Sequence, residues 1–215
     1  MAKVTILGHR GAPIGHVENT VAAFAAARAA GADGVELDAR VGPAGCLFVH
    51  HDPLPDPVPD WVPTLEVALE ACRGMLVNVE LKNLPTEAGW DAGEGMARRV
   101  AELAVGRGDR VVVSAFTLTS IDAVRAAAPQ LPTGWLTPDG YDQHRALATA
   151  AERGHAALHP FHTAVTADLV EAAHARGLQV NTWTVDDPAR MVELAAFGVD
   201  AIITNDPALA VATLR

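Results

Sequence analysis

The 215-residue chain is short of cysteine, of positive charge and of long apolar runs, and each shortage closes off a class of protein. Its two cysteines, Cys46 and Cys72, form no CxxC pair and stand beside no paired histidines, so neither a zinc site nor a redox motif is written there. Both fall in predicted regular structure and read as buried apolar thiols in a reducing compartment. Sixteen Lys and Arg face 26 Asp and Glu, a formal net charge of -10. That leaves no basic face for nucleic acid or for an anionic membrane. An anionic substrate therefore needs local cations or a metal. No run approaches the roughly 18 apolar residues of a membrane span. The opening MAKVTILGHRG has one lysine and an apolar stretch only at residues 4–7, too short for a signal-peptide core. The expectation is a cytoplasmic protein with no membrane span and no nucleic-acid partner.

What is present is a hydrophobic content of 50% and a recurring junction: an alanine-rich helical pattern, a glycine, then a short apolar strand. The glycines are Gly31, Gly74, Gly108, Gly154, Gly177 and Gly198. A seventh junction uses Pro129 and Pro132 as its stop, and VTIL supplies an opening strand. Eight strands alternating with helices imply parallel pairing with right-handed crossovers. In a chain of this length that pattern predicts one compact (β/α)8 TIM barrel over residues 1–215, near the lower end of the usual size range. An open doubly wound sheet is the runner-up, weakened because no strand is followed by a glycine-rich phosphate loop. One segment breaks the rhythm: residues 43–63 hold six of the fourteen prolines. It reads as an extra short strand at residues 46–50 and a proline-stiffened loop before a helix near residues 64–72, and loops that long are usually functional or disordered.

Side chains alternate along a strand, so Glu36 and Asp38 of GVELDAR share a face, as do Asn78, Glu80 and Lys82 of VNVELKN. These residues, with His9 and Arg10 after the first strand, fall at strand C-terminal ends, the mouth where barrel active sites sit. Three buried carboxylates repel one another, and an all-oxygen set favours a hard cation such as Mg²⁺ or Ca²⁺. Ion pairing with Arg10, Arg40 and Lys82 is the competing account. Asn19 and Thr20 read as the N-terminal cap of the following helix. His144, His155, His162 and His174 read as solvated surface histidines, and His16 and His50 stay open. His9, beside an arginine at a strand end, and His51, in the proline-rich loop, stand apart.

Taken in order, HRG, ENT, AF with GADGVELD, an HD dipeptide, VELK and VNTWTVDD resemble the glycerophosphodiester phosphodiesterase family along nearly the whole chain. The resemblance implies a metal-dependent TIM-barrel hydrolase that cuts glycerophosphodiesters into glycerol 3-phosphate and an alcohol. It implies His9 and His51 as the acid–base pair, and Glu36, Asp38 and Glu80 as ligands of a divalent cation, Mg²⁺ or Ca²⁺. Arg10 and Lys82 are then phosphate contacts, and Trp183 walls the pocket. The chain departs from the family pattern in one place: only PLPDPVPDW separates HD from the VPTLEVAL helix, so the usual insertion is essentially missing. Two other readings remain on the sequence: a related phosphodiesterase acting on lysophospholipids, and a barrel that binds a phosphorylated ligand without turnover.

Overall fold

A computed structural model describes residues 3–87, 89–105 and 110–215. Strand β1 (Thr5–Gly8) leads through helix α1 (Val21–Ala29) to β2 (Gly34–Val41). The hairpin strand β3 (Leu47–Val49) and α2 (Leu65–Ala71) come before β4 (Leu76–Leu81) and α3 (Gly95–Val105). The alternation continues as β5 (Val111–Ala115), α4 (Leu118–Ala127), β6 (Thr133–Thr137), α5 (Gln143–Glu152), β7 (Ala157–Pro160) and α6 (Ala167–His174). It ends with β8 (Gln179–Thr182), α7 (Pro188–Phe197), β9 (Ala201–Thr204) and α8 (Pro207–Leu214). Strands β1, β2 and β4 to β9 pair in parallel in that order, and β1 pairs with both β2 and β9. The sheet is therefore a closed eight-stranded TIM barrel, and the open doubly wound alternative falls. Strand β3 lies outside that ring, antiparallel to β2, where the extra strand at residues 46–50 was expected.

The helix boundaries follow from local chemistry. Thr20, Thr64, Asp142, Thr166, Asp187 and Asp206 each accept a backbone N–H from the first turn of the helix they precede. Such a cap is worth about 1 kcal/mol, because the first-turn donors otherwise have no partner. At the other ends Gly31, Gly74, Gly154, Gly177 and Gly198 adopt φ of 73° to 87°, the left-handed conformation that stops a helix. The junction at Gly108 lies outside the described residues.

Both faces of the strands are buried, as a barrel requires. On β2, Val35, Leu37 and Ala39 belong to the apolar layer under the helices, and Glu36, Asp38 and Arg40 alternate with them. Two sequence expectations are corrected here. Cys46 is exposed at the start of the β3 hairpin; only Cys72 is buried. His155 is 4% exposed rather than solvated, held by Thr133 Oγ1 of β6 at 2.8 Å from its Nδ1 and by Asp122 Oδ1 at 3.2 Å from its Nε2. His144 and His174 are exposed as expected, and His162 is half-buried against Phe161.

Candidate active site

The ends of β2 and β4 bring three carboxylates together. The register pairs Glu36 with Asn78 and Asp38 with Glu80, so side chains of like parity fall side by side on neighbouring strands. Glu36, Asp38 and Glu80 are all buried, and each offers one oxygen such that the three lie within 4.8 Å of one another. Lys82 Nζ stands 2.5 Å from Glu80 Oε1 and 3.0 Å from Asp38 Oδ1, and Arg10 Nε stands 3.3 Å from Asp38 Oδ2. Three carboxylates thus face two cations, which leaves the cluster one negative charge in excess when all are ionised.

That imbalance shows in the titration. Burial, then Asp38 and Glu80, push the Glu36 carboxyl well above the usual carboxylate range. Burial raises Glu80 to about 7 against the opposing pull of Lys82. Burial works to raise Asp38 too, but Lys82 and Arg10 outweigh it and hold that carboxyl below its ordinary value. Glu36 Oε1 is buried and has no hydrogen-bond partner. An orphaned anionic oxygen beside two further carboxylates is a hard-cation donor set, and these three residues can hold a divalent metal ion.

Arg10 and His9 come from the turn after β1. Arg10 takes φ of 54°, which turns its backbone N–H onto Glu36 Oε2 at 3.0 Å and its guanidinium onto both oxygens of Glu18 at 2.9 and 3.0 Å. His9 Nε2 lies 3.9 Å from Glu36 Oε2, so the imidazole borders the acidic cluster. On the ring's other side, Nδ1 is 2.7 Å from Asn205 Oδ1. Asn205 is itself oriented, donating its side-chain N–H to Asp186 at 2.7 Å and its backbone N–H to the same carboxylate at 2.8 Å. An amide oxygen only accepts, so His9 carries its proton on Nδ1 and presents the Nε2 lone pair to the cluster. Burial and the Arg10 guanidinium lower the pKa of His9.

His51 follows β3, and its Nδ1 is 2.8 Å from Asp52 Oδ1. Its backbone is tied down by Arg40, which donates from Nε to the His51 carbonyl at 2.7 Å and pairs with both oxygens of Glu87 at 2.6 and 3.2 Å. Arg40 thereby joins the loop after β3 to the loop after β4. Trp183, just past β8, donates from Nε1 to the His159 carbonyl at 2.8 Å and stacks edge-on with Phe116 and Phe161 at 5.5 and 5.2 Å. Those three rings stand beyond the ends of β5, β7 and β8: Phe161 and Trp183 lie across the barrel from the carboxylate strands, and Phe116, next to β4, joins them into one apolar cluster.

Of the two cap candidates, Thr20 takes the role and Asn19 does not. Thr20 caps α1, while Asn19 is buried with φ of 58°, donates to Asp38 Oδ2 at 2.7 Å and accepts from the Asp38 N–H at 3.3 Å. Asn205 stands outside every motif read from the sequence, and Asp186, the first aspartate of VNTWTVDD, has no role assigned there. The signal available for them was position: each directly follows a strand or its terminal turn, and strand ends are where barrel sites are built.

The closed fold and this charge-dense mouth define the class: a (β/α)8-barrel enzyme. Comparison with known proteins narrows the class. The profile of the glycerophosphoryl diester phosphodiesterase family matches residues 9–60 and 53–209. The glycerophosphodiester phosphodiesterase of Caldanaerobacter subterraneus subsp. tengcongensis is 31% identical over 239 residues, which cover 95% of this chain and 95% of that protein. The chain belongs to the glycerophosphoryl diester phosphodiesterase family. Among solved structures, the Thermotoga maritima glycerophosphodiester phosphodiesterase superposes with a TM-score of 0.84 at 23% identity, covering 99% of each chain. An Oleispira antarctica phosphodiesterase in complex with its product sn-glycerol-3-phosphate gives 0.80 at 20% identity, covering 97% of this chain and 96% of that one. These two likenesses show the same fold.

Proposed function

We propose that the protein is a single-domain hydrolase that cuts glycerophosphodiesters to glycerol 3-phosphate and an alcohol, with a divalent cation at Glu36, Asp38 and Glu80. The observation that carries this reading is the orphaned, buried Glu36 Oε1 in a three-carboxylate cluster that His9 borders at 3.9 Å. When bound, a hard cation such as Mg²⁺ or Ca²⁺ supplies electrostatic stabilisation to the charged phosphoryl oxygens. The chain's own residues do the rest. Arg10 and Lys82 present positive charge to the phosphate and orient it at the mouth. His9, neutral with Nε2 unprotonated, takes the proton from the attacking oxygen. Asn205 and Asp186 hold that ring in the required tautomer. His51 is the complementary proton donor, returning a proton to the departing alkoxide, and Arg40 keeps its loop in place. Trp183, Phe116 and Phe161 keep water off one side of the bound ester.

We place the reaction in the cytoplasm on the cysteine content and the sequence's short apolar runs. Among the described residues no helix is long and apolar enough to cross a membrane. The test is release of glycerol 3-phosphate from glycerophosphocholine by chelator-treated protein with Mg²⁺, Ca²⁺ or Mn²⁺ added back. One metal should restore turnover, and His9→Ala, His51→Ala and Glu80→Ala should each lower kcat at least about a hundredfold, the scale of a lost acid–base or charge-stabilising group. Full activity under chelation, or an active His9→Ala enzyme, sinks the mechanism.

A further inference from the structure

A cavity borders the candidate active site at Lys82. It has a volume of about 580 Å³ and runs between the β2–β3 hairpin and the loop after β4, with Lys82 in its wall. Lys82 Nζ is the group that touches Asp38 and Glu80, so the groove adjoins the carboxylate cluster through this one side chain. Its apolar lining comes from Val41, Leu54, Val58, Leu84, Trp90 and Met96. Val41 and Trp90 are 44% and 47% exposed, so this lining offers apolar area that a bound group can cover.

The polar groups along the groove are already engaged with the protein. Arg40 is held by Glu87 and the His51 carbonyl. Asn83 is shared between Asp91 and Glu94, and the Asp91 carboxylate accepts from the N–H groups of Gly93 and Gly95. A substrate arm entering here therefore meets apolar surface, with Asp56 exposed at the lip. The wall is packed and held: a Cβ at Gly42 would lie 2.5 Å from the Phe48 ring and 3.0 Å from Leu54, so the loop sits down on the hairpin.

A glycerophosphodiester has two arms. The glycerol arm carries two hydroxyls that need partners, and this groove offers few. We infer that the groove is the subsite of the alcohol arm, and that it selects esters whose leaving alcohol carries apolar bulk. The inference rests on the function proposed above and adds the class of leaving group to it.

The test compares kcat/KM for the glycerophosphodiesters of propanol and phenylpropanol, which release alkoxides of matched basicity and differ in one ring. The wild-type enzyme should prefer the phenylpropyl ester at least about tenfold, and both Leu54→Asp and Trp90→Ala should collapse that ratio toward one. Equal kcat/KM in the wild type, or a preference that survives both substitutions, overturns the groove assignment and leaves the proposed function standing. Hydrolysis of neither ester while glycerophosphocholine is cleaved also overturns the groove assignment alone, and cleavage of none of the three overturns both.

Discussion

Glu36 is 2% exposed, is crowded by Asp38 and Glu80, and keeps one oxygen without a hydrogen bond. Its folded-state pKa is raised, so the metal-free protein is penalised as pH climbs past the ordinary carboxylate value, where the unfolded side chain ionises freely and the folded one resists. Glu36→Gln removes that penalty and still accepts the Arg10 N–H. Replacing a poorly compensated buried charge returns about 1–2 kcal/mol, and for a chain of this size that raises Tm by roughly 2–8 °C. Thermal denaturation in chelator at about pH 8 should show the gain, alongside a loss of at least about a hundredfold in turnover. A lower Tm in the variant would mean the cluster is not strained. The carboxylates were legible in the sequence because period-2 alternation puts Glu36 and Asp38 on one face. The partner that orients His9 was not, since Asn205 lies 196 residues along the chain from it and only the closure of β1 on β9 makes the two neighbours.

At the scale of strands and helices, the ends were readable and the interior was not. Threonine and aspartate caps and left-handed glycines carry their reasons locally, which is why the strand–helix rhythm could be drawn from sequence. Which face of a strand looks into the barrel is another matter, because both faces are buried and apolar periodicity loses its meaning. His159 on β7 shows the consequence. It is fully buried, its Nε2 is 3.0 Å from Asn181 Nδ2, and its ring occupies the space left by Gly134 on β6, where a Cβ would lie 2.2 Å from Nε2. Gly134→Ala forces the ring or the strands apart and should cost about 2–3 kcal/mol, the upper part of the range for overpacking a core. Urea denaturation would register this as a lower midpoint at unchanged m-value. An unshifted midpoint would show that β6 and β7 can separate freely.

For the whole molecule, His159 also sets the acid limit. Burial alone pushes its pKa down to about 3, whereas an unfolded histidine titrates near 6.5. Above that upper value neither state binds the proton. As pH falls toward about 3 the unfolded chain takes it up and the folded barrel does not, so stability is progressively lost. His159→Leu should make the fall in unfolding free energy between about pH 6 and about pH 4 shallower by close to one proton. A slope identical to wild type would remove His159 from the acid response. His155, His9 and His162, with pKa values also lowered mainly by burial, act in the same direction and contribute to the residual slope. The eight-fold alternation, the acidic mouth and the family are written locally in the chain, because caps, glycine stops and strand periodicity act over a few residues and the motifs lie in order. Which polar groups meet depends on how the barrel closes. Closing β1 onto β9 seats Asn205 against His9, the hairpin carries Arg40 to His51, and the same hairpin leaves an apolar groove beside Lys82. The first of these contacts joins residues 196 apart in sequence and the others depend on how the hairpin docks, and no local pattern encodes either.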